Sequence, residues 1–146
     1  MTQDNPLVHA TLVEQSSRGA LLIGSSGSGK SDLALRFIHQ SALEGAGHLV
    51  ADDQVELYLN DKRVWGRAPL TLKGQIEVRQ LGICEVPSIE ASEINLVVNL
   101  KSDGAIERLP TKDLNYNLLG QSIPMIELAP FEASAPIKLS LALKNS

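Results

Sequence analysis

Gly24-Ser25-Ser26-Gly27-Ser28-Gly29-Lys30-Ser31 fits the pattern G-x-x-x-x-G-K-S/T. Each residue type in it suits a phosphate ligand. The glycines let the backbone curl so that successive N–H groups converge on one anion. A helix opening at Lys30 adds its positive dipole end to the same spot. Lys30 supplies a cation for the β- and γ-phosphates, and the Ser31 hydroxyl supplies one oxygen ligand for Mg²⁺. Such a loop also needs a carboxylate for the metal or for the nucleophile. Asp52 and Asp53 end the short apolar run Leu49-Val50-Ala51, where a sheet strand would deliver them to the loop. Adjacent strand residues face opposite ways, so one carboxylate reaches the site and the other serves structure, unless the strand has already turned. A surface Asp-Asp turn is the competing reading of the pair.

The elements that must position these groups are legible in part. Leu7 to Glu14 and Gly19 to Ile23 read as two strands around the turn Gln15-Ser16-Ser17-Arg18. The loop follows the second strand. From Lys30 the apolar period becomes helical, with Leu33, Ala34, Phe37, Ile38 and Ala42 on one face; Gly45 and Gly47 are expected to end that helix. His48 to Ala51 reads as a buried strand, and Val55 to Asn60 as a half-exposed one that returns through Asn60-Asp61-Lys62 into Arg63 to Gly66. Strands are also expected around Ile76 and Val78 and over Ile94 to Leu100, and Pro110-Thr111-Lys112-Asp113 reads as a turn opening a short helix. Near the C-terminus, Ile137, Leu139, Leu141 and Leu143 alternate as in a strand, whereas Ser134 as N-cap and Pro136 in the first turn favour a helix.

Composition narrows the function. The 146 residues suit one domain, with 43% hydrophobic and 21% charged residues. The net charge of −4 and an aromatic content of 3% argue against a nucleic-acid partner, which would favour basic and stacking surfaces. No apolar run approaches the length of a membrane span, no secretory signal is visible, and the single cysteine, Cys84, fits a reducing compartment, so a cytoplasmic protein is expected. The three histidines have no zinc-site spacing. The chain lacks the Asn-Lys-x-Asp and Asp-x-x-Gly motifs of GTPases, and its six arginines are too scattered for the lid of a small nucleotide kinase.

Several segments occur in the order of a known family. They are His9-Ala10-Thr11-Leu12-Val13, the glycine-rich loop, Val50 to Glu56, and Ile76-Glu77-Val78-Arg79-Gln80-Leu81-Gly82-Ile83. Glu107-Arg108-Leu109 and Leu119 to Pro124 follow. Over about residues 8 to 144 the chain resembles the catalytic domain of HPr kinase/phosphorylase, the bacterial enzyme that phosphorylates a serine of the phosphocarrier protein HPr. The resemblance implies a short, catalytic-domain-only form with an α/β fold like that of phosphoenolpyruvate carboxykinase. It implies a phosphate loop on a mixed sheet and a C-terminal helix over about Ala135 to Leu143. It also implies ATP and Mg²⁺ as cofactors, HPr or an HPr-like protein as partner, and a homo-oligomer, a hexamer by family likeness.

In the mechanism so implied, Gly24 to Ser31 hold ATP, and Ser31, Asp52 and Glu77 form the metal site. Asp53 is the base that takes the serine proton. Lys30, Arg79 and Arg108 offset phosphoryl charge, and His9 is carried over by resemblance alone. Glu77 and Arg79, two apart, are expected on the loop side of a strand with Val78 opposite; a plain ion-pair ladder is the bland alternative. Gln80 stands where the family signature E-I/V-R-G-L-G-I has glycine. Ala129-Pro130-Phe131-Glu132-Ala133-Ser134 replaces an arginine- and proline-rich segment tied to dephosphorylation. A working kinase with weak reverse phosphorolysis is therefore expected. A nucleotide-gated binding module and a small-molecule kinase are the rival functions.

Overall fold

A computed structural model describes residues 5–40, 45–109 and 113–146. Its strands are β1 (Leu7–Val8), β2 (Thr11–Gln15), β3 (Arg18–Ile23), β4 (Gly47–Ala51), β5 (Val55–Asn60), β6 (Arg63–Arg67), β7 (Gln75–Val78), β8 (Gly82–Glu85), β9 (Ala91–Leu100), β10 (Leu114–Leu118) and β11 (Gln121–Leu128); its helices are α1 (Lys30–Gln40) and α2 (Ala135–Lys144). The main sheet runs β1-β5-β6-β9-β3-β2-β4, with β11 also on β9 and β10 on β11. β3, β9 and β11 are mutually parallel neighbours, and the remaining pairs are antiparallel. This is the mixed α/β sheet with a C-terminal helix that the resemblance implies.

The sheet is buried on both faces, and the strand sequences show why. Val13, Leu22, Leu96 and Val98 pack under the two helices with Leu33, Phe37, Leu139 and Leu143. Their neighbours Leu12, Leu21 and Val97 pack on the other face with Val55, Leu57 and Val64. A strand covered on both faces reads as a continuous apolar run, as Ile94 to Leu100 does. Asn95 is accommodated in that run by two hydrogen bonds: its Oδ1 accepts from the Gly19 N–H at 3.0 Å and its amide donates to Glu93 at 2.9 Å.

The C-terminal alternation resolves in favour of the helix. Ala135, Leu139 and Leu143 repeat every four residues and are buried, whereas Ile137 and Leu141, 54% and 48% exposed, form a second row. Two apolar rows, each with a spacing of four, mimic a period of two. The buried row packs α2 onto α1.

Three expectations are corrected. Leu7 to Glu14 is two strands rather than one: β1 pairs with β5 and β2 with β3 and β4, so the chain changes partner at His9-Ala10. Gly47 opens β4 instead of ending a helix, and Gly45, at φ +106°, precedes it. The described part of α1 ends at Gln40, and Ala42 lies outside the described residues. The expected short helix after Asp113 is strand β10; Leu119 and Gly120, at φ +51° and +81°, make the tight turn that returns it along β11. Residues 110–112 of the expected turn lie outside the described residues. Among the described residues no helix is long and apolar enough to cross a membrane.

Candidate active site

The loop between β3 and α1 has the curled geometry its glycines permit. Ser28 N–H donates to Ser25 O at 3.0 Å, and Leu33 N–H donates to Gly29 O at 2.9 Å, closing the first turn of α1. Gly29 stands at φ +98°, and a Cβ there would lie 2.9 Å from Phe131 Cζ. Both the dihedral and the close approach therefore require glycine. Lys30 is 7% exposed. Its ammonium donates to Gly24 O at 2.8 Å and Ser25 O at 3.0 Å, folding the side chain back over the loop. Burial pushes the Lys30 pKa below its usual value, against the opposing pull of the Asp53 and Asp52 charges. An arriving phosphate offers this cation a better partner than two carbonyls.

β4 delivers the two carboxylates, and the strand has already turned when it does. It ends at Ala51, and Asp53 stands at φ +68°. Strict alternation is thereby broken, and both aspartates line one cavity of about 700 Å³ with the glycine-rich loop. They differ sharply in surroundings. Asp52 is 9% exposed, and its Oδ1 accepts from Ser31 Oγ at 2.7 Å and from Thr11 Oγ at 2.9 Å. The Asp53 side chain is 68% exposed and meets His9 Nδ1 at 3.2 Å. His9 sits where β1 gives way to β2, so the change of strand partner sets that contact.

The β7–β8 hairpin forms another wall. Buried Ile76 anchors it in the core under the helices, while Glu77, Val78 and Arg79 all line the cavity. Val78, like Ile76, packs against the core under the helices while Glu77 is exposed, as alternation implies; β7 ends at Val78, and Arg79 belongs to the turn. Gln80 takes φ +73°, the left-handed conformation that the signature glycine would hold without strain. Arg108 is exposed in the segment beyond β9 and is not among the cavity-lining residues.

Thr11, Asp32, Leu35 and Phe131 line the cavity without having been singled out from the sequence. Thr11 lies inside the quoted His9–Val13 segment, where only the histidine was given a role, yet its fully buried hydroxyl fixes Asp52. Phe131 lies in a segment noted only for its missing arginines.

The donor set suits a hard cation that keeps most of its own water. Ser31 and Asp52 offer adjacent hydroxyl and carboxylate oxygens, and Glu77 opens on the same cavity. Among the described residues no three His, Cys, Asp or Glu side chains cluster as a self-sufficient metal cage. Mg²⁺ bound largely by substrate phosphates and water fits such a sparse set.

A strand, a glycine-rich loop and a helix meet at the carboxyl edge of parallel strands, with lysine, hydroxyl and carboxylate converging there, in an α/β domain. The family model for the HPr Serine kinase C-terminal domain matches residues 2–138, and the chain belongs to that family. It is 36% identical over 133 residues to the HPr kinase/phosphorylase of Mycoplasmopsis pulmonis, covering 83% of this chain and 41% of that protein. It is 38% identical over 152 residues to the HPr kinase/phosphorylase of Treponema pallidum, covering 94% of this chain and 46% of that protein. The chain thus spans less than half the length of these curated relatives. The fold matches the Hpr(Ser) kinase/phosphatase structure from Coxiella burnetii with a TM-score of 0.80 at 24% identity, over 96% of this chain and 89% of that one.

Proposed function

We propose that this protein transfers the γ-phosphoryl group of ATP to a serine of HPr or an HPr-like phosphocarrier. The observation that carries the reading is the division of labour between two adjacent carboxylates in one cavity. Asp52 is buried and tied to the loop hydroxyl Ser31, while Asp53 is open to an incoming protein. Gly24 to Ser31 would hold the phosphates, with Lys30 leaving its two carbonyl partners for the β- and γ-oxygens. Ser31 and Asp52, with Glu77, would hold Mg²⁺, whose charge offsets that of the phosphates. Asp53 accepts the proton of the attacking serine hydroxyl, and His9 orients that carboxylate. Arg79 stands in the cavity wall to offset charge on the transferring group. Arg108 enters this reading through the family resemblance alone. So does assembly as a homo-oligomer, a hexamer in that likeness.

The reverse reaction, attack of inorganic phosphate on phosphoserine, is the weaker direction in this reading. In the segment 129–134 the cavity receives the phenyl ring of Phe131, and the Glu132 carboxylate is paired instead with Lys138 at 2.8 Å. That segment offers no arginine to a second phosphate. The forward reading is tested with γ-labelled ATP, Mg²⁺ and purified HPr: label moves to HPr with the wild-type protein and not with Lys30→Ala. Equal labelling by both proteins would remove the loop from the reaction.

A further inference from the structure

The cavity has an aromatic wall that phosphoryl transfer does not use. Phe131 is the one phenyl ring among the described residues that line it, and it is 69% exposed. Its ring edge lies against Gly29, one residue before the loop lysine. The topology places it beside the phosphate loop for a reason. β3, β9 and β11 are parallel, so the segment after β11 leaves the sheet at the same carboxyl edge as the loop after β3. Ligands of open α/β sheets lie along that edge. A nucleotide with its phosphates in the loop must send its ribose and base outward across a neighbouring surface.

The backbone that carries the ring is also held in place. The Arg36 guanidinium donates to Pro130 O and, at 3.2 Å, to Glu132 O, the carbonyls on either side of Phe131. Asp32 orients that guanidinium at 3.0 Å, and Lys138 of α2 pairs with Glu132 at 2.8 Å. A large apolar ring whose flanking backbone is fixed on both sides and which is left open to solvent is a preorganised face. Leu35, on α1, extends the apolar lining.

We propose that Phe131 is the nucleobase platform of this site. The base of a purine nucleoside triphosphate stacks on the phenyl face while Gly24 to Ser31 hold the phosphates. The proposal rests on the nucleotide-dependent reading above, and the test separates the two. Binding of ATP and of inorganic tripolyphosphate, each with Mg²⁺, is measured by calorimetry for the wild type, Phe131→Ala, Phe131→Leu and Phe131→Tyr. Losing a base–aromatic stack should weaken ATP binding to the alanine and leucine variants about tenfold, ~1.4 kcal/mol, with tripolyphosphate binding changed less than about twofold. Phe131→Tyr should keep the wild-type affinity for ATP. Equal losses of both ligands would overturn the proposal and reduce the ring to a brace for Gly29, as would full ATP affinity in Phe131→Leu. A wild type that binds ATP no tighter than tripolyphosphate would overturn it while leaving the phosphate loop standing. Binding of neither ligand by the wild type would bring down both.

Discussion

Replacing Asp53 by glycine should leave the protein's stability nearly unchanged while stopping its chemistry. Asp53 stands at φ +68°. For an L-residue the left-handed region costs about 1–2 kcal/mol, and aspartate sits near the lower end because its short polar side chain tolerates the region. The carboxylate returns little of this. Its contact with His9 at 3.2 Å joins side chains that are 50% and 68% exposed. Ion pairs that open to water contribute about 0–1 kcal/mol. Glycine relieves the strain but frees the unfolded chain, which offsets about 0.4–1 kcal/mol. The balance lies between a loss of about 1 kcal/mol and a gain of about 0.6 kcal/mol. Loss of the base should slow transfer by about 10²–10⁴-fold. Asp53→Asn, which keeps the tolerance for this conformation, should show the same kinetic loss with unchanged stability. Urea melts give the first quantity, and initial rates with HPr give the second. A glycine variant destabilised by more than about 1 kcal/mol, or one retaining transfer within about tenfold of wild type, would refute the reasoning.

Asp52→Ala should behave oppositely: it strips the buried Thr11 hydroxyl and the half-buried Ser31 hydroxyl of a shared charged acceptor and should cost about 2 kcal/mol in a urea melt. Gly29→Ala should abolish ATP binding by calorimetry, since its methyl would meet Phe131 at 2.9 Å in a left-handed conformation. The lowered Lys30 pKa carries a pH signature. The unfolded chain keeps this proton to higher pH than the native protein does, so stability rises with pH in the window just below 10.5. Lys30→Met should lack that increment when the two stability–pH curves are subtracted. Phosphorolysis of phosphoserine-HPr should run at least about tenfold slower than transfer under saturating conditions, ~1.4 kcal/mol of extra barrier; comparable rates would show that the loop alone accepts the attacking phosphate.

The glycine-rich loop and its flanking strand and helix were legible because their signal is local. Gly29, Lys30 and Ser31 carry both the chemistry and the backbone requirement. The buried run Ile94 to Leu100 was legible because both faces of β9 are covered. What was not legible depends on distant contacts. Residues 114–118 form a strand because β11 is there to pair with them, and their own sequence does not announce it. Local alternation left the orientation of Asp52 and Asp53 open because β4 stops at Ala51. Thr11 on β2 and Phe131 in the turn after β11 enter the cavity because the sheet order alone brings them to the loop. The alternating leucines of α2 imitate a strand until α1 shows which row is buried.

Central to the account is phosphoryl transfer to a serine of HPr, and intact-mass measurement of purified HPr after incubation with this protein, ATP and Mg²⁺ tests it most directly. The account predicts the mass gain of a single phosphoryl group, absent when the acceptor serine is replaced by alanine and absent with Lys30→Ala. Unchanged HPr mass in the presence of tightly bound ATP would contradict it and leave a nucleotide-binding domain that does not phosphorylate HPr.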